Sequence, residues 1–279
     1  MGVPDQMSEM NTKQLAQKNI PSTSEMPPEF EFTGERIVPG RTAEHLFREH
    51  EERYVFAGQY VKGKDVLDVA CGTGVGTSYL HHAGARSVWG LDIDPQAIAF
   101  AKARYGIASF AQCDATALCL PDDSVDVVVS FETIEHLQDH QMYIKECRRV
   151  LRPGGIFICS TPNTKLYGRR WENKYHVHEL SPREFESLLA SHFGELLLFS
   201  QSERIYPLYL SRCFVSRILD AAGLKEPLLE MLGRKPKGGQ LREEFAAGDL
   251  ATSPSIVPFR NGVMIQPVYM LAVARVPPK

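Results

Sequence analysis

The sequence predicts an α/β fold built on a doubly wound, mostly parallel sheet. Short apolar segments alternate with helix-like segments along the middle of the chain, which is the pattern of repeated βαβ units. Segments such as VDVVVSF, residues 125–131, are continuously apolar, as expected of strands covered on both faces. A glycine-rich turn, CGTGVGT, directly follows the first of these strands.

The elements follow from hydrophobic periodicity along the chain. Apolar residues at helical spacing predict a helix within residues 42–60. The alternating pattern then predicts strands at 65–70, 87–92, 108–112, 125–131 and 155–160, with helices at 74–83, 95–104 and 139–151. A further helix after residue 181, a strand at 195–201 and a final strand at about 268–276 complete the prediction.

Two helix starts carry recognisable capping chemistry. Asp94 followed by Pro95 is typical of an N-cap and a first helical turn. Ser181 and Glu184 have the spacing of a capping box, in which each side chain bonds the other residue's main chain. These residues support the predicted helix boundaries.

The chain divides into five predicted parts. Residues 1–30 are polar and lack periodicity, which predicts a disordered tail. A single domain follows, with an N-terminal arm and helix at 31–62, a ligand-binding core at 63–202 and a final strand within 263–279. The insertion at 203–262 is long for a linker, so we expect it to cover or gate a site.

Composition excludes several classes of protein. The 279 residues include 31 Lys and Arg against 34 Asp and Glu, a formal net charge of −3, so no positive surplus attracts nucleic acid or an anionic membrane. The 6 cysteines show no CxxC spacing, which predicts reduced thiols and a cytoplasmic protein. No apolar run of membrane-spanning length and no signal-peptide core is present, so neither a membrane span nor export is expected.

The glycine turn indicates the class of ligand. Ligands of open parallel sheets bind beyond the carboxyl ends of the strands, which is where this turn lies. Its spacing is GxGxG, whereas a dinucleotide fingerprint requires GxGxxG with a glycine in place of Thr77. Asp68, just before the turn, repels a pyrophosphate but attracts an ammonium group. An NAD-dependent oxidoreductase or epimerase is the less favoured alternative.

The motif DxxxGxGxG after an apolar strand resembles the first motif of class I S-adenosylmethionine-dependent methyltransferases. The resemblance extends over residues 60–202. It implies S-adenosylmethionine (SAM) as the cofactor and a Rossmann-like, seven-stranded sheet whose last strand is antiparallel. In the family, the position of Asp92 accepts the ribose hydroxyls, and the positions of Asp114 and Ala115, within CDATAL, recognise the adenine amino group. The resemblance also assigns Asp68, Gly72, Gly74, Ile93 and Phe131 to the cofactor pocket.

The catalytic candidates are histidines. Methyl transfer is an in-line displacement, and a general base helps when the acceptor is a hydroxyl that must lose a proton. His136, in SFETIEHL, resembles the Glu-His that recurs after the fourth strand of small-molecule methyltransferases; capping of the following turn is the structural alternative. His178 is a second catalytic candidate, with Tyr175 and Trp171 as substrate contacts or as packing residues. His176 and His178 form an HxH pair, but no further ligand stands nearby in the sequence, so no metal is expected.

The acceptor is predicted only as a class. The fourth strand ends in SFET, without the (N/D)PP(Y/F) tetrapeptide typical of nucleobase or amide methylation. The segments FTGERIVPG, STPN and HELSPREF resemble bacterial methyltransferases of sugars, cell-surface glycans and natural products. We therefore expect O-methylation of a sugar or another small hydroxylated metabolite by a monomer or homodimer. Quinone or phenol methylation and a non-enzymatic SAM-binding regulator remain alternatives. Within the first segment, Arg36 belongs to an arm that either folds over the cofactor or packs on the sheet.

Overall fold

The computed structural model describes residues 36–106, 108–163, 173–202, 255–258 and 269–278. The predicted tail at 1–30 and nearly all of the insertion at 203–262 lie outside these residues. Their predicted roles therefore stay predictions.

The described strands form one mixed sheet of eight strands. They are β1 Asp65–Val69, β2 Ser87–Asp92, β3 Ser109–Gln112, β4 Val125–Phe131, β5 Leu151–Pro162, β6 Glu195–Ser202, β7 Ser255–Pro258 and β8 Tyr269–Arg275. The spatial order is β3-β2-β1-β4-β5-β8-β6-β7. Strands β1 to β5 pair in parallel, and β8 lies antiparallel between β5 and β6. The predicted doubly wound sheet with an antiparallel last strand is confirmed.

Five α-helices connect the strands of the described parts. They are α1 Glu44–Gly58, α2 Val75–His82, α3 Pro95–Arg104, α4 His140–Val150 and α5 Pro182–Ala190, and a single 3₁₀ turn spans Ile134–His136. The capping predictions are confirmed. The Asp94 side chain accepts a hydrogen bond from the Gln96 main-chain N–H at 2.8 Å, and Ser181 with Glu184 forms the reciprocal capping box.

The sheet differs from the prediction in two places. Strand β7 pairs antiparallel with the outer edge of β6 and adds an eighth strand to the seven expected. Strand β5 begins at Leu151, four residues before the predicted start at 155, because α4 passes directly into it. The pairing with β4 then shifts register between Val125 and Val127, and this bulge accommodates the extra residues around Gly154, whose φ is +76°.

The core lies on both faces of the sheet, as continuously apolar strands require. Neighbouring residues of β4 point to opposite faces: Val128 packs with the cluster under α4 and α5, whereas Val127 packs with the cluster under α1 and α2. Both side chains are essentially inaccessible to solvent. Among the described helices, none combines the length and apolarity needed to cross a membrane.

Candidate cofactor and acceptor site

A cavity of about 420 Å³ opens at the carboxyl ends of β1, β2 and β4. Its wall combines the glycine turn after β1, the end of β2, the loop after β3, the loop after β4, the face of α1 and the N-terminal arm. Its volume is in the range of small-molecule sites, and its place at the strand ends is the usual one in open α/β sheets.

The glycine turn exposes its main chain to this cavity. Gly72 lines the cavity with a φ of +54°, and a Cβ built on it meets no atom within 4 Å. Gly74 has a φ of +82°, and a Cβ there would lie 2.8 Å from the Cβ of Ala101. The first glycine therefore leaves an open cradle for a ligand, and the second permits close packing on helix α3.

The third glycine of the turn admits a tyrosine from α1. A Cβ on Gly76 would lie 1.9 Å from the Cζ atom of Tyr54, so the aromatic ring occupies the space that any other residue would need. The ring of Tyr54 also packs edge-on against Phe131, with ring centroids 5.0 Å apart. Both aromatic residues line the cavity. Tyr54 was not among the residues predicted from the sequence.

Asp68 lies behind the turn, and its side chain does not line the cavity. The carboxylate is 0% exposed and accepts hydrogen bonds from Thr77 Oγ1 at 2.6 Å and from the Tyr54 hydroxyl at 3.2 Å. Burial raises its pKa to about 7, although both hydrogen bonds oppose the shift. Direct contact of Asp68 with a ligand ammonium group stays a prediction. Asp68 belongs to β1 itself, and its hydrogen-bond partner Tyr54 lines the cavity.

Asp92 ends β2 with its carboxylate held in a fixed orientation. Oδ2 accepts the main-chain N–H of Gly72 at 2.8 Å, and Oδ1 accepts that of Asp94 at 2.9 Å. The side chain lines the cavity, and each oxygen retains a lone pair for another donor. This arrangement suits a vicinal diol such as that of a ribose.

Asp114 stands on the loop after β3, beside Ala115 and Ile93 on the cavity wall. Its Oδ1 accepts hydrogen bonds from the Thr116 main-chain N–H at 2.8 Å and from Thr116 Oγ1 at 2.7 Å. The main-chain bond and then the side-chain bond lower the pKa of this carboxyl group, which keeps it an ionised acceptor. Ile93, 64% exposed, supplies an apolar surface at the rim.

The N-terminal arm crosses the glycine turn. Thr73 Oγ1 donates to the Ile37 carbonyl oxygen at 2.7 Å, and Arg36 forms an ion pair with Asp94 at 2.5 Å. Arg36 and Ile37 both line the cavity. The arm therefore borders the cavity beside the glycine turn, and its fold over a bound cofactor stays a prediction.

The loop after β4 brings His136 to the opposite wall. Its Nδ1 lies 3.0 Å from the carbonyl oxygen of Tyr175, and since a carbonyl only accepts, Nδ1 carries the hydrogen. The neutral ring then has an unprotonated Nε2. His136 and Tyr175 both line the cavity, whereas Trp171 lies outside the described residues.

His178 does not line the cavity, and its predicted contact with substrate stays a prediction. Its ring packs against His140 with centroids 5.5 Å apart, and its main-chain N–H donates to the Glu135 carbonyl oxygen at 3.2 Å. The preceding histidine of the pair, His176, lies against His136 instead, with ring centroids 4.9 Å apart. The segment thus places the ring of His176 against His136 and the ring of His178 against His140.

A cluster of Glu135, His136 and His176 adjoins the cavity. One nitrogen or oxygen atom of each residue lies within 4.8 Å of one from each of the others. Glu135 is fully buried, and burial followed by the neighbouring Glu132 carboxylate raises its pKa well above the usual range. Sequence reasoning missed this cluster because His176 stands forty residues after His136 (176 − 136 = 40).

Comparison with known proteins agrees with this geometry. Residues 67–159 match a family model described as "Methyltransferase domain". This part of the chain is therefore similar to a methyltransferase domain. A "Probable S-adenosylmethionine-dependent methyltransferase" of Mycolicibacterium smegmatis is 42% identical over 168 residues, which are 59% of this chain and 65% of that protein. A ubiquinone biosynthesis O-methyltransferase of Cereibacter sphaeroides is 36% identical over 106 residues, 37% of this chain and 42% of that one.

Solved structures of other proteins have a similar fold. A SAM-dependent methyltransferase of Thermotoga maritima superposes with a TM-score of 0.55 at 16% identity, covering 83% of this chain and 93% of that one. At this identity the likeness concerns the fold alone. The chain spans slightly less than two thirds of the curated relative from Mycolicibacterium smegmatis.

The similarity to a methyltransferase domain implies SAM as the cofactor, and the residues present fit that molecule. The cradle at Gly72 is open, Asp92 offers two oriented oxygens, and Asp114 offers an ionised acceptor. The cavity that they line continues to His136.

Proposed function

We propose that the protein transfers a methyl group from SAM to an oxygen atom of a small hydroxylated molecule. One observation carries the proposal: a single cavity contains the cradle suited to the cofactor and, on its other wall, a histidine with a fixed tautomer. When bound, the cofactor supplies a methyl group on a sulfonium sulfur. The chain's residues hold it and prepare the acceptor.

The cofactor end is formed by acceptors at the strand ends. In this proposal Asp92 receives the ribose hydroxyls, Asp114 receives the adenine amino group, and Ile93 covers the base. Gly72 allows the main chain to approach the amino-acid end closely. The arm with Arg36 and Ile37 lies over this part of the cavity and excludes water from it.

The acceptor end is formed by the loop after β4 and by α1. Phe47, His50, Tyr54 and Tyr175 line the cavity there together with His136. Burial, and then the charge of Arg53, lowers the pKa of His50 well below its usual value, so this histidine is neutral at neutral pH. A hydroxyl acceptor must lose its proton as it attacks, and a positioned base contributes about 10²- to 10⁴-fold. The unprotonated Nε2 of His136 is that base.

The acceptor that we favour is a sugar or a small hydroxylated metabolite. The segments around residues 32–40, 160–163 and 178–185 support it by their resemblance to methyltransferases of sugars and natural products. A quinol or phenol is the second candidate, favoured by the likeness to a ubiquinone biosynthesis O-methyltransferase. The cytoplasmic location, the monomeric or homodimeric state and the lack of nucleic-acid partners stay predictions.

The experiment is a binding titration followed by a turnover assay. S-adenosylhomocysteine is expected to bind in calorimetry with micromolar affinity, and NAD(H) is expected to give no signal; the reverse result overturns the proposal. S-adenosylhomocysteine release is then measured with panels of sugars and phenols. His136→Ala is expected to lower turnover at least tenfold with an S-adenosylhomocysteine affinity near that of the wild type. The control is His45→Ala, an exposed histidine of α1 that does not line the cavity.

A further inference from the structure

We propose that Glu135, His136 and His176 form a binding site for one divalent transition-metal ion at the edge of the cavity. Two imidazoles and one carboxylate are a common ligand set for Zn²⁺ and for other first-row ions with open coordination positions. The three residues come from the loop after β4 and from the segment before α5, which pack together through main-chain bonds to the Glu135 carbonyl oxygen. The domain's fold does not by itself require such a site.

Both histidines are oriented as metal ligands usually are. The Nδ1 atom of His136 donates to the Tyr175 carbonyl oxygen at 3.0 Å, and that of His176 donates to Glu179 Oε1 at 2.7 Å. In each ring the hydrogen therefore resides on Nδ1 and the lone pair on Nε2. A carbonyl or carboxylate behind a ligating imidazole fixes its tautomer and increases its basicity.

Glu135 supplies an independent observation. Its Oε2 accepts a hydrogen bond from Thr161 Oγ1 at 3.0 Å, but its buried Oε1 has no hydrogen-bond partner among the described residues. A buried carboxylate oxygen without a partner is costly, and the carboxylate of Glu132 nearby adds repulsion. A divalent cation bound to Oε1 removes both costs, because it supplies the missing partner and the opposite charge.

The distances require only a small adjustment to bind an ion. The potential ligand atoms lie within 4.8 Å of one another. Ligands bound at about 2.1 Å from one ion are about 3 to 4 Å apart, so shifts of about an ångström or less close the site. His136 and His176 are partly exposed, which leaves their side chains room for such shifts.

This inference rests on the proposed function and narrows its substrate class. His136 belongs both to the cluster and to the cavity wall, so the ion's remaining coordination positions are available to the acceptor. An acceptor with two adjacent oxygen atoms, such as a sugar diol or a catechol, fits two such positions. With an ion bound, the Nε2 lone pair of His136 would bind the ion and would no longer act as the base. The ion would instead lower the pKa of the acceptor hydroxyl, whose proton would leave to solvent.

The test is metal binding by the full chain after removal of metal with a chelator. Calorimetry with Zn²⁺ and electron paramagnetic resonance with Mn²⁺ are expected to show one ion per chain. His176→Ala and Glu135→Gln are each expected to weaken Zn²⁺ binding at least tenfold. His178→Ala is the matched control, because it removes a histidine of the same segment that lies outside the cluster. No saturable site, or equal affinity in all four proteins, overturns the inference.

A second measurement separates this inference from the proposed function. His176 does not line the cavity, so His176→Ala is expected to bind S-adenosylhomocysteine with nearly unchanged affinity and to unfold at nearly the same temperature when metal-free. S-adenosylhomocysteine binding without a metal site refutes the inference alone. A metal site without S-adenosylhomocysteine binding refutes the proposed function instead.

Discussion

Replacing Asp68 with asparagine is expected to stabilise the metal-free, ligand-free protein at pH 7 and above, although the carboxylate accepts two hydrogen bonds. The carboxylate is 0% exposed, and the hydrogen bonds from Thr77 and Tyr54 offset only part of its desolvation. Asparagine is nearly the same size and can still accept the bond from Thr77. The substitution therefore removes a buried charge while keeping most of the local structure.

The magnitude follows from the pKa of this carboxyl group. Burial raises the pKa of Asp68 from 3.8 to about 7. Between these two pH values the carboxyl group is protonated in the folded protein and ionised in the unfolded chain. The stability contribution of a raised pKa is complete below the unfolded value and is lost as the pH rises through the folded value. This rise in pKa corresponds to a decrease of about 4 kcal/mol in the free energy of unfolding above pH 7, and Asp68→Asn avoids that decrease.

Urea denaturation of both proteins between pH 4 and 8 measures this difference. The free energy of unfolding of Asp68→Asn relative to the wild type is expected to increase by about 1.4 kcal/mol per pH unit from pH 4 to 7 and then to level off. Other groups cancel in this comparison. Asp65, for example, has a pKa lowered by its hydrogen bonds from Arg86 in both proteins. A difference that stays constant across this pH range refutes the reasoning.

Three further substitutions test the site. Gly76→Ala forces a Cβ to within 1.9 Å of the Tyr54 ring of α1, so we expect at least a tenfold loss of S-adenosylhomocysteine affinity in calorimetry and a lower melting temperature. The control is Gly106→Ala, because a Cβ at Gly106 meets no atom within 4 Å. Equal effects of the two substitutions contradict the packing argument. Arg36→Ala removes a partly exposed ion pair, so the free energy of unfolding is expected to fall by less than about 1 kcal/mol. S-adenosylhomocysteine is expected to dissociate faster in stopped flow. An unchanged dissociation rate shows that the arm does not retain the ligand. Asp92→Asn keeps the size of the side chain but removes its charge and one of its two acceptor oxygens, so S-adenosylhomocysteine is expected to bind at least tenfold more weakly, and unchanged affinity excludes a ribose contact.

Most of the fold could be predicted from the sequence because its signals are local. Strand β2, for instance, matches the predicted 87–92, and helix α3 matches 95–104, since each is bounded by a cap or a change of periodicity within a few residues. The eighth strand, β7, could not be predicted in this way. Its four residues pair with the edge of β6, and a segment this short has no periodicity of its own.

Several residues of the cavity could also be predicted from the sequence. Gly72, Asp92 and Asp114 stand at the carboxyl ends of successive strands, and the topology of a parallel sheet brings such positions to one edge. His136 reaches the cavity for the same reason. The contributions of Tyr54 and of the arm were harder to predict, because both come from the chain before the sheet and their positions depend on tertiary packing.

For Asp68 and Glu135, the sequence did not indicate the direction in which the side chain points. Asp68 is within β1, and its carboxylate lies under the first turn of α2, where Thr77 binds it; four residues further on, the main chain of the turn faces the cavity. Glu135 belongs to a 3₁₀ turn that points its carboxylate into the protein toward Thr161, next to a histidine from a distant segment. In both cases burial leaves an acid whose charge needs compensation. A proton supplies the compensation for Asp68, whereas for Glu135 the two adjacent imidazoles make a metal ion the better partner.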